Sequence, residues 1–125
     1  NQVDPAKAQQ IGISTEKISP PITTLSSQEK INFAKYLSKK NITMYSAYWC
    51  PHCHDQKQLF GKEAVEQLNI VECAKDGVDN KYKLCQEKGI EGFPSWEIDN
   101  IIYSGTRELK ELAELTGYSG NNNLK

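Results

Sequence analysis

Ile31, Ala34 and Leu37 recur three residues apart among polar neighbours, which places them on one face of a helix. Ser26 and Glu29 form a capping-box pattern ahead of them, and Lys39 and Lys40 suit the negative end, so a helix is predicted over about 27–39. Ile42 to Ala47 is short and β-rich and predicts a central strand that runs straight into Cys50. Pro51 suits a first helical turn; Leu59, Phe60, Ala64, Val65 and Leu68 give the helix that follows a buried side, with Gly61 as a break. Asn69 to Cys73 predicts a second strand, and Asp79 or Asn80 can cap a short helix closed by Gly89. Strands over about 95–98 and 101–103 flank Asp99-Asn100, a pair that tolerates the positive φ of a tight hairpin. Thr106 is placed to cap a last helix that carries Leu109, Leu112 and Ala113 and closes at Gly117.

The order α, β, α, β, α, β, β, α puts parallel strands first and an antiparallel hairpin last, which belongs to an α/β sheet with helices on both faces. Residues 1–25 hold little to bury and include Pro5, Pro20 and Pro21, so they are expected to form a linker or N-terminal arm. Residues 26–118 form the expected domain, and the Asn-rich stretch 119–125 a flexible C-terminal tail.

Composition narrows the functions open to such a domain. With 125 residues, 38% of them hydrophobic, the chain can bury one core. Fifteen Lys and Arg balance 16 Asp and Glu without a basic stripe, so nucleic acid is not an expected partner. No apolar run approaches the roughly 20 residues that span a bilayer, and residues 1–25 are too polar for a signal peptide's apolar core. A membrane span is therefore not expected in this chain, and any targeting or membrane segment is expected to have been removed or to have lain upstream.

The chemistry concentrates in "MYSAYWCPHCHDQ", residues 44–56. A zinc site needs about four ligands, usually from two knuckles. Only one C-x-x-C is present, Cys73 and Cys85 lie twelve positions apart, and both histidines adjoin the first pair, so no metal is expected. A purely structural Cys50–Cys53 disulfide is a further alternative. The redox reading has a stronger physical basis. A strand ending at Cys50 and a helix starting at Pro51 set the Cys50 sulfur over unpaired helix N–H groups and the positive end of the helix dipole. That setting favours a thiolate, the attacking species in disulfide exchange. Cys53, one turn on, can resolve the mixed disulfide formed at Cys50. His52 can add charge or a hydrogen bond to the same sulfur, whereas His54 reads as a solvated helix residue.

"WCPHC" after a short strand, with "GFP" about forty residues on, resembles the thioredoxin superfamily, and its Pro-His pair resembles the oxidising members. "PPITT", "MYSAYWCPHCHDQKQLFG", "VEC", "KLCQEKGIEGFPSW" and "YSGTRELKELAELTG" together resemble the C-terminal thioredoxin-like domain fused to vitamin K epoxide reductase homologues of cyanobacteria and chloroplasts. That resemblance covers about residues 20–118 and implies a thioredoxin-like fold with a mixed sheet of about four strands. Met44 departs from the family at a position where it often buries an acidic residue, and the hairpin turn lacks glycine. The resemblance also implies a cis peptide at Pro94, with Phe93 presenting its backbone to an extended substrate; the sequence alone gives an ordinary trans proline. Trp49 and Tyr48 are expected as an apolar rim for substrate, with core packing as the alternative, and Trp96 as core.

Cys73 ends a strand and Cys85 sits in the next helix, so a bridge between them would be a structural disulfide worth on the order of 3 kcal/mol. A relay pair and free thiols are the alternatives. A stable bridge also suits an oxidising compartment, the periplasm or a thylakoid lumen. The activity implied is that of a thiol–disulfide oxidoreductase, of protein disulfide oxidase or isomerase type, acting through Cys50, Cys53 and His52. It would oxidise cysteine-containing protein substrates and pass electrons to a quinone-reducing membrane domain of the vitamin K epoxide reductase type, in the same or another chain, with no cofactor of its own. A disulfide reductase and a redox-linked protein-binding or chaperone module are the alternatives.

Overall fold

The computed structural model describes residues 17–120 together with 123 and 124. The chain runs α1 (Gln28–Lys39), β1 (Thr43–Ser46), α2 (Pro51–Phe60), α3 (Lys62–Val65), β2 (Asn69–Glu72), α4 (Tyr82–Glu87), β3 (Ser95–Ile98), β4 (Ile101–Ser104) and α5 (Leu109–Leu115). Four strands form one mixed sheet in the order β2-β1-β3-β4. β1 pairs parallel with β2, and β3 pairs antiparallel with both β1 and β4. The β3–β4 turn closes without glycine because Asp99 and Asn100 both take positive φ, 52° and 66°.

β1 sits in the middle of the sheet and is buried along its whole length. Its side chains alternate between two clusters, as strand geometry requires. Met44 joins Phe33, Leu37, Phe60, Trp96, Ile98 and Leu112 in the main core, which collects α1, α2 and α5 on one face. Tyr45 joins Cys73 and Cys85 on the other, where Val71, Ile90 and Ile102 pack around them.

Two expected caps are displaced by one or two residues, for the same reason: the hydroxyl is engaged elsewhere. Ser27, not Ser26, caps α1, its Oγ accepting from Lys30 N at 3.2 Å. The Ser26 hydroxyl instead donates to Phe60 O at 2.8 Å and accepts from Ala64 N at 2.9 Å, tying the start of α1 to the α2–α3 corner. That corner is the expected break at Gly61, where φ is 95° and a Cβ would stand 2.8 Å from the Leu25 backbone, so only glycine fits. Glu108, not Thr106, occupies the N-cap of α5. Thr106 Oγ1 donates to His52 O at 3.3 Å, and the fully buried Gln56 side chain bonds both the N–H and the carbonyl of Arg107. At α4 the N-cap is Lys81, not Asp79 or Asn80, and its side chain makes no cap bond; Asn80, one residue earlier, still takes the first helical N–H, its Oδ1 accepting from Tyr82 N at 3.0 Å.

Residues 1–16 of the expected arm lie outside the described residues. Its remainder docks on α2: the Gln58 side chain accepts from the N–H groups of Thr23 and Thr24, and Lys62 N donates to Thr24 O at 2.8 Å. Within the expected tail, residues 121, 122 and 125 are likewise outside the described set, while Leu124 is buried in the main core. Tyr118, just before it, packs 4.8 Å from both the Phe33 and Tyr36 rings.

Candidate active site

The turn from β1 into α2 makes Cys50 the N-cap residue of α2, with extended backbone (φ −87°, ψ 117°) and Pro51 in the first turn. Its sulfur accepts the Cys53 N–H at 3.2 Å, satisfying one of the donors that a helix start leaves unpaired. The sulfur also lies 3.6 Å from Phe93 O. The Phe93–Pro94 peptide is cis, and the loop before β3 sets the Phe93 carbonyl against Cys50. Cys50 and Cys53 are both free thiols and both buried, with 7% and 1% of their surfaces exposed. Burial, then the contact with Cys50, pushes the Cys53 thiol up to about 12; Ser46 and the Ala47 backbone act the other way.

Trp49 is 58% exposed and stands edge-on to the Phe93 ring, 5.9 Å between centroids. Tyr48 is half-buried, its hydroxyl donating to Asp76 at 3.0 Å. Trp49 and Phe93 thus pack on each other at the Cys50 turn, whereas the Tyr48 side chain is turned to Asp76. Trp96, by contrast, is core, and its indole N–H donates to Gln56 Oε1 at 3.1 Å.

His52 is brought to the helix start but not onto the sulfur: its side chain is 75% exposed and Nδ1 lies 3.9 Å from Asp55 Oδ2. His54 departs from the solvated reading. It is half-buried beside Gln58, 3.3 Å between Nε2 atoms, and its Nδ1 is buried without a partner among the described residues.

Cys73 and Cys85 are joined by a disulfide with Cα atoms 5.8 Å apart, and each is 4% exposed. The bridge fastens the end of β2 to α4 on the sheet face opposite the main core. Among the described residues no cluster of His, Cys, Asp or Glu could hold a metal ion, and no helix is long and apolar enough to cross a membrane.

Two side chains near the pair were missed. Gln56 and Lys57 are 0% and 7% exposed, although polar residues in a helix beginning at an active site read naturally as solvent-facing. Their signal was positional: with Cys53 and Phe60 they occupy the i, i+3, i+4, i+7 stripe of α2 that faces the core.

The family profile described as thioredoxin matches residues 24–116. The thiol-disulfide oxidoreductase LTO1 of Arabidopsis thaliana is 46% identical over 101 residues, which cover 78% of this chain and 27% of that protein. The protein disulfide isomerase-like 2-3 of Oryza sativa subsp. japonica is 27% identical over 88 residues, 65% of this chain and 20% of its own length. The chain thus spans well under half the length of either relative.

Proposed function

Because this chain belongs to the thioredoxin family, we propose that it is a thiol–disulfide oxidoreductase in which Cys50 exchanges with protein cysteines and Cys53 resolves. The observation that carries the reading is the Cys50 sulfur, set at the start of α2, accepting the Cys53 N–H at 3.2 Å and facing the Phe93 carbonyl at 3.6 Å. A sulfur there gains from oriented N–H groups when it is a thiolate. Its partner thiol, Cys53, is in side-chain contact with it one helical turn on. The exposed Trp49 and the Phe93–Pro94 backbone supply an apolar contact and an edge for an extended substrate.

In the finer reading, the domain of residues 26–118 oxidises cysteines of exported or lumenal proteins and passes the electrons to a vitamin K epoxide reductase-type membrane domain, in its own or another chain. The ordered motifs and the likeness to LTO1 support this, and the buried Cys73–Cys85 bridge suits the periplasm or a thylakoid lumen. Equilibrating the Cys50–Cys53 pair with glutathione tests the direction of flow. An oxidase should lie toward the strongly oxidising end of the family's range, roughly −120 to −180 mV, and a reductase near about −270 mV. A value at the lower end would move the reading to a disulfide reductase.

His52 enters as a modest contributor. Exposed at the helix start, it can favour a thiolate on Cys50 only through solvent-screened charge. His52→Ala should shift the glutathione equilibrium toward the disulfide by no more than about tenfold, roughly 30 mV. An unchanged equilibrium would remove His52 from the reacting set.

A further inference from the structure

Lys57 is 7% exposed, and a lysine is seldom so deeply buried unless paired. Its Nζ donates to Ser19 Oγ at 3.0 Å, a neutral acceptor that cannot cancel its charge, and it forms no ion pair with a carboxylate among the described residues. It stands four residues after Cys53 on the same stripe of α2. Helical side chains lean toward the helix N-terminus, so the Lys57 stem lies over the turn that holds Cys53. The titratable groups whose charge acts on it are Cys53 of α2, Glu72 of β2 and Cys50 at the N-cap of α2. Glu72 is held away by other bonds, its Oε2 accepting from Tyr48 N and Ala74 N, each at 3.0 Å. Gly77 leaves room for it, since a Cβ there would come within 2.8 Å of the Glu72 side chain. Met44, fully buried in β1, puts no carboxylate on the core side of the cysteines.

We propose that Lys57 is a positioning residue for disulfide exchange, its buried ammonium stabilising the Cys53 thiolate as that sulfur leaves. The inference rests on the exchange chemistry proposed above. A substrate thiolate attacks Cys50 Sγ, a substrate–Cys50 bond forms and the Cys50–Cys53 bond breaks, its electron pair remaining on Cys53 Sγ, which then takes up a proton. A second substrate thiolate displaces Cys50 as a thiolate, so the substrate loses two electrons and the domain gains them. A thiol pushed up to about 12 is a poor leaving group. A cation in the same low-dielectric region offsets that handicap more strongly than one in solvent would.

Glutathione is the probe, and the rate of reduction of the oxidised Cys50–Cys53 pair is the readout. The parent is measured first, and an unreactive parent overturns the exchange reading itself. Given a reactive parent, Lys57→Met and Lys57→Gln should each react roughly 3- to 10-fold more slowly at pH 7, about half a Brønsted unit per unit of leaving-group pKa. Lys57→Arg should recover most of the rate. Burial lowers the Lys57 pKa. Per glutathione thiolate, the parent's advantage should therefore shrink as pH rises and the ammonium loses its proton, whereas the Met variant shows no such step. A role in packing alone would not produce that pH dependence. Parental rates in both neutral variants, or an Arg variant as slow as the Met variant, would overturn the role of Lys57 and leave the exchange reading standing. If the Met variant does not fold, the Gln variant decides by itself.

Discussion

Cys50→Ser should abolish thiol–disulfide exchange, while Cys53→Ser should allow one attack and stop at the mixed disulfide. The two sulfurs differ in setting. Cys50 caps α2 and faces the Phe93 loop and the exposed Trp49, whereas Cys53 is 1% exposed and its thiol is pushed up to about 12. At pH 7 a thiol of that kind is ionised at a fraction on the order of 10⁻⁵, so it cannot compete as the first nucleophile. Burial is the first cause of the shift, and the contact with Cys50 comes after it. Cys53 should therefore stay unreactive in the Cys50→Ser variant. Iodoacetamide should label it slowly at pH 7, at a rate rising about tenfold per pH unit until pH approaches its pKa. Rapid labelling at neutral pH would contradict the burial argument. Exchange surviving in Cys50→Ser would contradict the assigned nucleophile, and unchanged affinity for protein partners without any exchange in the parent would favour a binding module.

What the sequence revealed and what it hid follow from the range of the interactions. The strand into Cys50, the helix from Pro51 and the Asp99-Asn100 hairpin depend on neighbours within a few residues, and each appears where local chemistry puts it. Ser26 and Thr106 look like caps by the same local rule. They fail because Phe60 O, Ala64 N and His52 O, all more than thirty residues away, claim their hydroxyls. Lys57 illustrates the converse. Its polarity predicts solvent, but the docked segment around Ser19 and the core face of α2 enclose it. Nor does spacing alone reveal the cis peptide at Pro94, which needed the family resemblance. His52 was legible as a helix-start residue, yet the rotamer that turns its ring to Asp55 rather than to the sulfur was not.

Replacing both Cys73 and Cys85 by alanine should cost about 3 kcal/mol, the loop-closure entropy released to the unfolded chain when a bridge of this span is removed. For a domain of this size that is a fall in Tm of roughly 10–20 °C, readable by thermal unfolding followed by circular dichroism. The two sulfurs also pack beside Tyr45, Val71, Ile90 and Ile102 in the smaller core, so their loss leaves a gap as well as a longer free loop. Phe93 packs on both clusters, and its carbonyl faces Cys50, which connects the bridge to the active site mechanically. Well below the new Tm the exchange rate should still stay within about twofold of the parent, because strand pairing at Ser95 and the T-shaped contact with Trp49 hold that loop independently. Exchange needs in-line approach of a thiolate to sulfur, and both bridge sulfurs are 4% exposed. Dithiothreitol that fully reduces Cys50–Cys53 should accordingly leave Cys73–Cys85 intact, as mass spectrometry after alkylation would record. Equal reducibility of the two pairs, or a folded double-alanine variant that has lost exchange, would instead make the second pair an electron relay. A relay would require the smaller core to open during turnover, and hydrogen exchange at Tyr45 and Cys85 faster in the working enzyme than at rest would reveal that opening.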